Sequence, residues 1–225
     1  GNETNVLGTD TGSANYEDTI EVVEKEFKGF TYDSKDKETI VIDTENNTAT
    51  VYYTRNSYDY TIKHVEKGNE TNVLGTDTGS ANYEDEIAVK EKEFTGFTYD
   101  SKDKETIVID TENNTATVYY TRNSYDYTVN YFYNGVKDTN ATEVKSAKFE
   151  STITTYTDKV KTGYKFEKVE TTDSDKVMPL TISYDTTKNV INVYYVTDEK
   201  QTKELKYTVE YYKDGVLQTK DTQTV

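Results

Sequence analysis

A direct internal repeat constrains this chain more than any other feature. Residues 1–59 and 68–126 match at 55 of 59 aligned positions, with a period of 67 residues. The four differences are Thr19 against Glu86, Glu21 against Ala88, Val23 against Lys90, and Lys28 against Thr95. Because a repeated segment of this size is one structural unit, the sequence predicts a tandem array of small units.

More distant copies follow the direct repeat. The segment DTENNTATVYY at 110–120 returns as DTTKNVINVYY at 185–195, and a further copy opens with YTVEYYKDGV at 207. Gly1 aligns with Gly68 and Gly135, which predicts that the first repeat lacks its opening strand. The predicted units are 1–59, 60–126, 127–206 with a charged linker at 197–206, and an opening hairpin of a truncated fourth unit at 207–225.

The residue composition favours strands. Aromatic residues make up 13% of the chain, with 22 Tyr, and Thr, Tyr, Val and Ile fit pleated sheets. We therefore predict a mostly β or α+β fold, built from tandem small antiparallel β units in an elongated array.

Two kinds of hairpin are predicted within a unit. Asn134-Gly135 and Asp214-Gly215 lie between aromatic-rich strands and suit a tight turn in which both central residues have positive φ. A second hairpin is predicted to join 106–110 to 115–120 through an Asp/Asn-rich tip. Between the hairpins, the segment 83–94 has mixed character with room for one helical turn.

Alternation along the strands sorts their side chains into two faces. Ile191, Val193 and Tyr195 are predicted to lie in the core, while Asn130 shares the opposite, outward face of its strand with an aromatic ring. The outward aromatic residues are the candidate ligand-binding residues, because an exposed ring can stack on a sugar; the alternative is cross-strand pairing that stiffens the sheet. They are Tyr52, Tyr119, Phe132, Tyr194 and Tyr212.

A family resemblance rests on three segments. YTVEYYKDGV at 207–216, ITTYTDKVKTGYKFEKVE at 153–170 and ISYDTTKNVINVYYV at 182–196 resemble the MucBP repeats, the mucin-binding protein domains of Gram-positive surface adhesins. The resemblance is fullest over 127–196. The first two repeats match only a few short segments of the family pattern. It implies ubiquitin-like, β-grasp units in an extracellular, cell-wall-anchored array that contacts mucin or another host glycoprotein. No binding residue is carried over from the family.

Charge and composition exclude several function classes. The formal net charge of −16 repels phosphate backbones and anionic lipids, so no nucleic-acid partner is predicted. No apolar run reaches about 18 residues, so no membrane insertion is predicted. The N-terminus lacks a signal-peptide pattern, which predicts a cytosolic chain or a processed piece of a longer one.

Catalytic and metal motifs are weak. The chain has no Cys and one His, and His64 is predicted to be a structural residue without a partner set. The Asp-Thr-Gly triplets at Asp10 and Asp77 resemble aspartic-protease motifs, but we predict turns there. The acidic clusters at 33–38 and 100–105 favour solvated turns over Ca²⁺ sites. We therefore predict no enzyme, no metal and no cofactor.

Two functions remain open at this point. The units are either an adhesin segment that binds mucin or other host glycoprotein glycans, or a non-binding stalk that projects a distal domain. The spare opening strand at 207–213 adds a separate prediction. It either completes the first repeat of another chain by head-to-tail strand addition, or it is an incidental end of a longer protein.

Overall fold

The computed structural model describes residues 5–172, 176–201, 208–218 and 223–224. Strands dominate these residues, and their one helical segment is a short 3-10 turn, η1 (Thr186–Lys188). No helix in this part of the chain is long and apolar enough to cross a bilayer. The sheets are small and either antiparallel or mixed. The predicted mostly β class is confirmed.

The chain divides into two compact units, Gly1–Asn123 and Ser124–Val225. The N-terminal unit contains the first direct repeat and the second as far as Asn123. Its strands are β1 (Thr19–Glu21), β2 (Phe30–Lys35), β3 (Thr39–Val41), β4 (Val51–Arg55), β5 (Ser57–Glu66), β6 (Asn69–Asn82), β7 (Glu86–Ala88), β8 (Phe97–Lys102), β9 (Thr106–Val108) and β10 (Thr115–Arg122).

A four-stranded sheet in the order β6-β5-β10-β8 forms the second repeat. Its two central strands, β5 and β10, run parallel, while the outer pairings are antiparallel. The inward residues of these strands pack with residues from the β7–β9 region. The buried cluster consists of Ile62, Val89, Ile107, Ile109, Ala116, Val118 and Tyr120.

The C-terminal unit repeats this arrangement. Its main sheet has the order β12-β11-β17-β15, with β13 also paired to β11. The buried cluster includes Val129, Tyr131, Ile191, Val193 and Tyr195. The strands are β11 (Ser124–Tyr133), β12 (Val136–Lys137), β13 (Glu143–Lys148), β14 (Thr152–Ile153), β15 (Tyr164–Thr171), β16 (Leu180–Thr181), β17 (Val190–Thr197), β18 (Thr208–Val209), β19 (Tyr212–Lys213), β20 (Val216–Leu217) and β21 (Gln223–Thr224).

The predicted tight turns are confirmed. Asn134 and Gly135 have φ values of 48° and 78°, and Asp214 and Gly215 have φ values of 47° and 79°. Each turn joins an opening strand to its return strand, through the β11–β12 pairing and the β19–β20 pairing. Positive φ at both central residues matches the right-handed twist of the flanking strands.

The predicted second hairpin is wrong. β9 pairs with β7, whereas β10 pairs with β8 and β5. The Asn114 side chain binds the backbone N–H and carbonyl of Asp110 at 2.8 and 2.7 Å and closes the loop between β9 and β10 on itself. The chain therefore leaves the β7–β9 ribbon for the main sheet. The segment 83–94 contains β7 and no helix.

The units are also not purely antiparallel as predicted, because each main sheet has a parallel central pair. β11 and β17 run parallel from Thr128 opposite Val190 to Tyr133 opposite Tyr195. Side-chain alternation is the same for either strand direction, so the pattern alone did not fix the direction. The division into four repeat units stays a prediction.

Candidate functional site

The outward face of the third repeat's sheet carries a stacked aromatic pair. Phe132 on β11 and Tyr194 on β17 lie directly opposite each other in the parallel register. Their ring centroids are 4.8 Å apart and their planes differ by 17°. Neighbouring strands are about 4.8 Å apart, so the two rings stand side by side on the sheet. Both residues are half-buried.

An amide pair lies two residues before the rings on the same strands. Asn130 is opposite Asn192, and its Nδ2 donates to the Asn192 Oδ1 at 3.0 Å. Asn130 lies on the predicted outward face with Phe132, but it is only 9% exposed. Its Oδ1 is buried without a hydrogen-bond partner within the described residues, which is rare for a buried polar atom.

An ion pair from β15 borders the tyrosine. Lys168 Nζ lies 2.8 Å from Glu170 Oε1 and 4.9 Å from the centroid of the Tyr194 ring. The Lys168 ammonium group lowers the pKa of the Glu170 carboxyl. Burial, followed by the charge of Glu170, raises the pKa of Tyr194. The Tyr194 hydroxyl therefore stays protonated at neutral pH as a hydrogen-bond donor.

The geometry sets what this face can offer a ligand. Phe132 covers one side of the Tyr194 ring, and Lys168 lies over the same ring. Tyr194 therefore offers its edge, while its hydroxyl donates to the Glu170 carboxylate. Phe132 stacks on Tyr194 among the described residues and lies opposite Lys137 of β12 on its other side, so the half-buried pair of rings is the surface that this face offers to the apolar side of a sugar. The half-buried Asn192 supplies amide hydrogen-bonding groups beside the rings, and the buried Asn130 holds that amide in place. We call these residues, Asn130, Phe132, Lys168, Glu170, Asn192 and Tyr194, the outward patch.

The structure brings together only two of the five predicted aromatic residues, Phe132 and Tyr194. Tyr119 is half-buried and lies opposite Val65, an aliphatic residue. Tyr52 is half-buried on β4, opposite Ser34. Tyr212 is 60% exposed, and its hydroxyl donates to Glu210 at 2.8 Å.

Sequence reasoning missed the amide pair and the ion pair of the outward patch. Asn192 and Asn130 are separated by more than sixty residues in the chain and meet only through the parallel β11–β17 register. Lys168 reaches Tyr194 through a register shift in the β15–β17 pairing. Knowing the strand order would have revealed both, because opposite residues of neighbouring strands share a face.

A second polar cluster surrounds His64, which has a partner set contrary to the prediction. Nδ1 of its fully buried ring lies 3.1 Å from the Tyr120 hydroxyl, and Nε2 lies 3.1 Å from Asp77 Oδ2. Lys92 forms an ion pair with the same carboxylate. Since the ring has no exposed surface, a substrate does not reach it, and the cluster ties β5, β6 and β10 together.

The Asp-Thr-Gly triplet at Asp77 lies inside strand β6, so the predicted turn is wrong there. Gly79 allows this extended path, because a Cβ at that position would lie 2.6 Å from the Tyr60 hydroxyl oxygen. In the first repeat, Asp10 is an exposed loop residue that pairs with Lys25.

Lysines form ion pairs with acidic residues in and near the segment 100–105. Lys67 pairs with Asp100 at 2.5 Å, and Lys102 pairs with Glu105 at 2.7 Å. Lys28, one of the four residues that differ between the direct repeats, pairs with Asp110 of the second repeat at 2.6 Å. No group of three or more His, Cys, Asp or Glu side chains in the described part of the chain has the geometry to hold a metal ion.

Comparison with known proteins adds no relative: no protein-family model matches the chain, and no curated protein is similar to it.

Proposed function

We propose that this chain is an extracellular segment of a bacterial cell-surface adhesin whose third repeat binds glycans of mucin or another host glycoprotein. The proposal is carried by the outward patch: the Phe132–Tyr194 stack stands next to the Asn130–Asn192 amide pair. A ring face and a neighbouring set of hydrogen-bonding groups match the two sides of a sugar, one apolar and one hydroxylated.

Strand order supports a β-grasp type of unit within this proposal. The opening and last strands of the third repeat lie parallel at the centre of a mixed sheet, and the return strands extend its edge. The second repeat has the same parallel central pair. We therefore propose a tandem array of helix-poor β-grasp units, in agreement with the MucBP resemblance.

The second repeat does not reproduce the outward patch. At the positions of Phe132, Asn130 and Asn192 it has Val65, Lys63 and Thr117. This favours a division of roles, in which the third repeat binds and the nearly identical first and second repeats act as a stalk. A non-binding stalk throughout is the alternative function, and the near-identity of the direct repeats favours it.

A glycan array probed with the full chain separates the two functions. We expect the wild type to bind a subset of mucin-type glycans, and Phe132→Ala to bind them about ten-fold more weakly, a loss of roughly 1.4 kcal/mol. Val144→Ala is the matched control, because Val144 is 64% exposed on neighbouring β13 and contributes nothing to the outward patch; it should bind as the wild type does. A wild-type chain that binds no glycan supports the stalk.

A further inference from the structure

A single residue joins the last strand of the first repeat to the opening strand of the second. β4 ends at Arg55 and β5 begins at Ser57, so Asn56 alone lies between them. The Asn56 N–H donates to the Gly29 carbonyl at 2.8 Å, and the Asn56 carbonyl accepts from the Tyr83 N–H at 2.8 Å. One bond goes to the first repeat and the other to the second, so the linker is held from both sides.

The ring of Tyr83 lies directly against Gly29. A Cβ at Gly29 would lie 2.2, 2.3 and 2.5 Å from three carbon atoms of this ring, which is too close for any side chain. Gly29 is buried and has a φ of 79°, a conformation that favours glycine. Tyr83 also packs edge-on against Phe30 of β2 and Tyr58 of β5, with ring centroids 5.8 and 6.4 Å apart. The ring therefore contacts strands on both sides of the linker.

Ion pairs between described residues cross the same boundary. Arg55 Nη1 donates to the Tyr83 carbonyl and pairs with Asp85 Oδ1, each at 3.0 Å. Lys28 Nζ lies 2.6 Å from Asp110 Oδ1, and Lys28 is a position at which the two direct repeats differ. Exposed ion pairs add little free energy singly. They do specify which atoms of the two repeats face each other.

Each half of this contact is held in shape by its own repeat. In the first repeat, the Phe30 N–H donates to the Phe27 carbonyl at 3.1 Å and closes the turn that contains the glycine. In the second repeat, the Glu84 N–H donates to the Ile109 carbonyl at 2.7 Å and fixes the turn that carries the tyrosine. Two preformed turns therefore meet across the linker.

We propose that this contact is a fixed joint, which holds the first and second repeats at one angle so that they move as one rigid body. Tandem domains usually move relative to each other, and a short linker becomes a hinge when its φ and ψ are free to change. Rotation at Asn56 would break both of its backbone bonds and pull the Tyr83 ring off Gly29. The joint is independent of any glycan site in the third repeat, and it suits a stalk that keeps its direction.

Spin labels on the full chain test the joint. The chain has no Cys, so Val41→Cys and Val108→Cys, at matching positions 59% and 58% exposed, place one label on each repeat. Double electron–electron resonance should give one narrow distance distribution for this parent chain. Gly29→Ala should broaden it, because the added Cβ displaces the Tyr83 ring. Gly68→Ala is the matched control, because Gly68 has a φ of 80° but a Cβ there meets no described atom within 4 Å; its distribution should stay narrow.

Tyr83→Ala tests the joint from the second repeat. It removes the ring and leaves the glycine turn unchanged, so it should broaden the distribution as Gly29→Ala does. Hydrogen exchange of the β4 and β10 amides shows whether each repeat stays folded. If Gly29→Ala loses the protection of β4, Tyr83→Ala decides. A broad distribution in the parent chain, or a distribution in either variant as narrow as that of Gly68→Ala, overturns the proposal.

Discussion

The Nε2 atom of His64 lies 3.1 Å from Oδ2 of Asp77, and the imidazole ring has no exposed surface. Asp77→Ala removes this acceptor and leaves a buried polar nitrogen unpaired. We expect a loss of about 1–3 kcal/mol in the free energy of unfolding, measured by urea denaturation. Asp10→Ala removes the identical residue of the first repeat, whose side chain is 71% exposed, and should change stability by less than about 0.5 kcal/mol. Equal losses would contradict the structural role of the His64 cluster.

Stability should also depend on pH through Asp77. Hydrogen bonds from Lys92 and then from His64 lower the pKa of this carboxyl below its ordinary value of 3.8. A carboxyl with a lowered pKa stabilises the fold fully above its unfolded-state pKa, and this contribution is lost as the pH falls through the folded-state pKa. The difference in unfolding free energy between wild type and Asp77→Asn should therefore shrink as the pH falls below 3.8. A difference unchanged down to pH 3 would be evidence against this.

Identical isoleucines in the two direct repeats should respond differently to truncation. Ile109 is 1% exposed and Ile42 is half-buried, although each donates the same backbone hydrogen bond at 2.9 Å, to Asp85 and Asp18 respectively. Ile109→Ala should cost about 2–5 kcal/mol, and Ile42→Ala less than half of that. Hydrogen exchange of the amides in β10 and β4 reports each repeat separately. Similar losses would show that the first repeat is as well packed as the second.

The two adjacent tyrosines of β17 should contribute very differently to the stability of the fold. Tyr195 is fully buried, donates to Asp158 and accepts from the Lys159 N–H at 2.9 Å. Tyr195→Ala should cost about 3–5 kcal/mol. Tyr194→Ala removes a half-buried ring and the stack with Phe132, which is worth about 1 kcal/mol, and should leave the fold intact. Thermal unfolding checks both, and equal losses would mean that the two faces of β17 are assigned wrongly.

Much of the sheet could be predicted from local pattern. The alternation of Ile191, Val193 and Tyr195 predicts one buried face, because successive strand residues point to opposite sides. Asn134-Gly135 predicts its turn, because both residues tolerate positive φ.

Neither the direction of a strand nor the strands that it pairs with could be predicted from side-chain alternation and turn residues. Parallel pairing of β11 and β17 places Asn130 next to Asn192, and alternation carries no information on direction. The direct repeats show the limit most clearly. Val51 and Val118 lie in segments of nearly identical sequence, yet only Val118, with β5 beside it, is buried. Burial there depends on a neighbouring strand and not on the residues themselves.

Aromatic NMR is the most direct test of the proposed contact between a glycan and the outward patch of the third repeat. Signals of the Phe132 and Tyr194 rings in the full chain should shift during titration with mucin-type glycans, because a sugar against Phe132 changes the environment of both stacked rings. The Tyr119 ring, which lies opposite Val65 in the second repeat, should not shift. Titration that leaves the Phe132 and Tyr194 signals unchanged, or that moves only signals of other rings, would contradict the proposed glycan site.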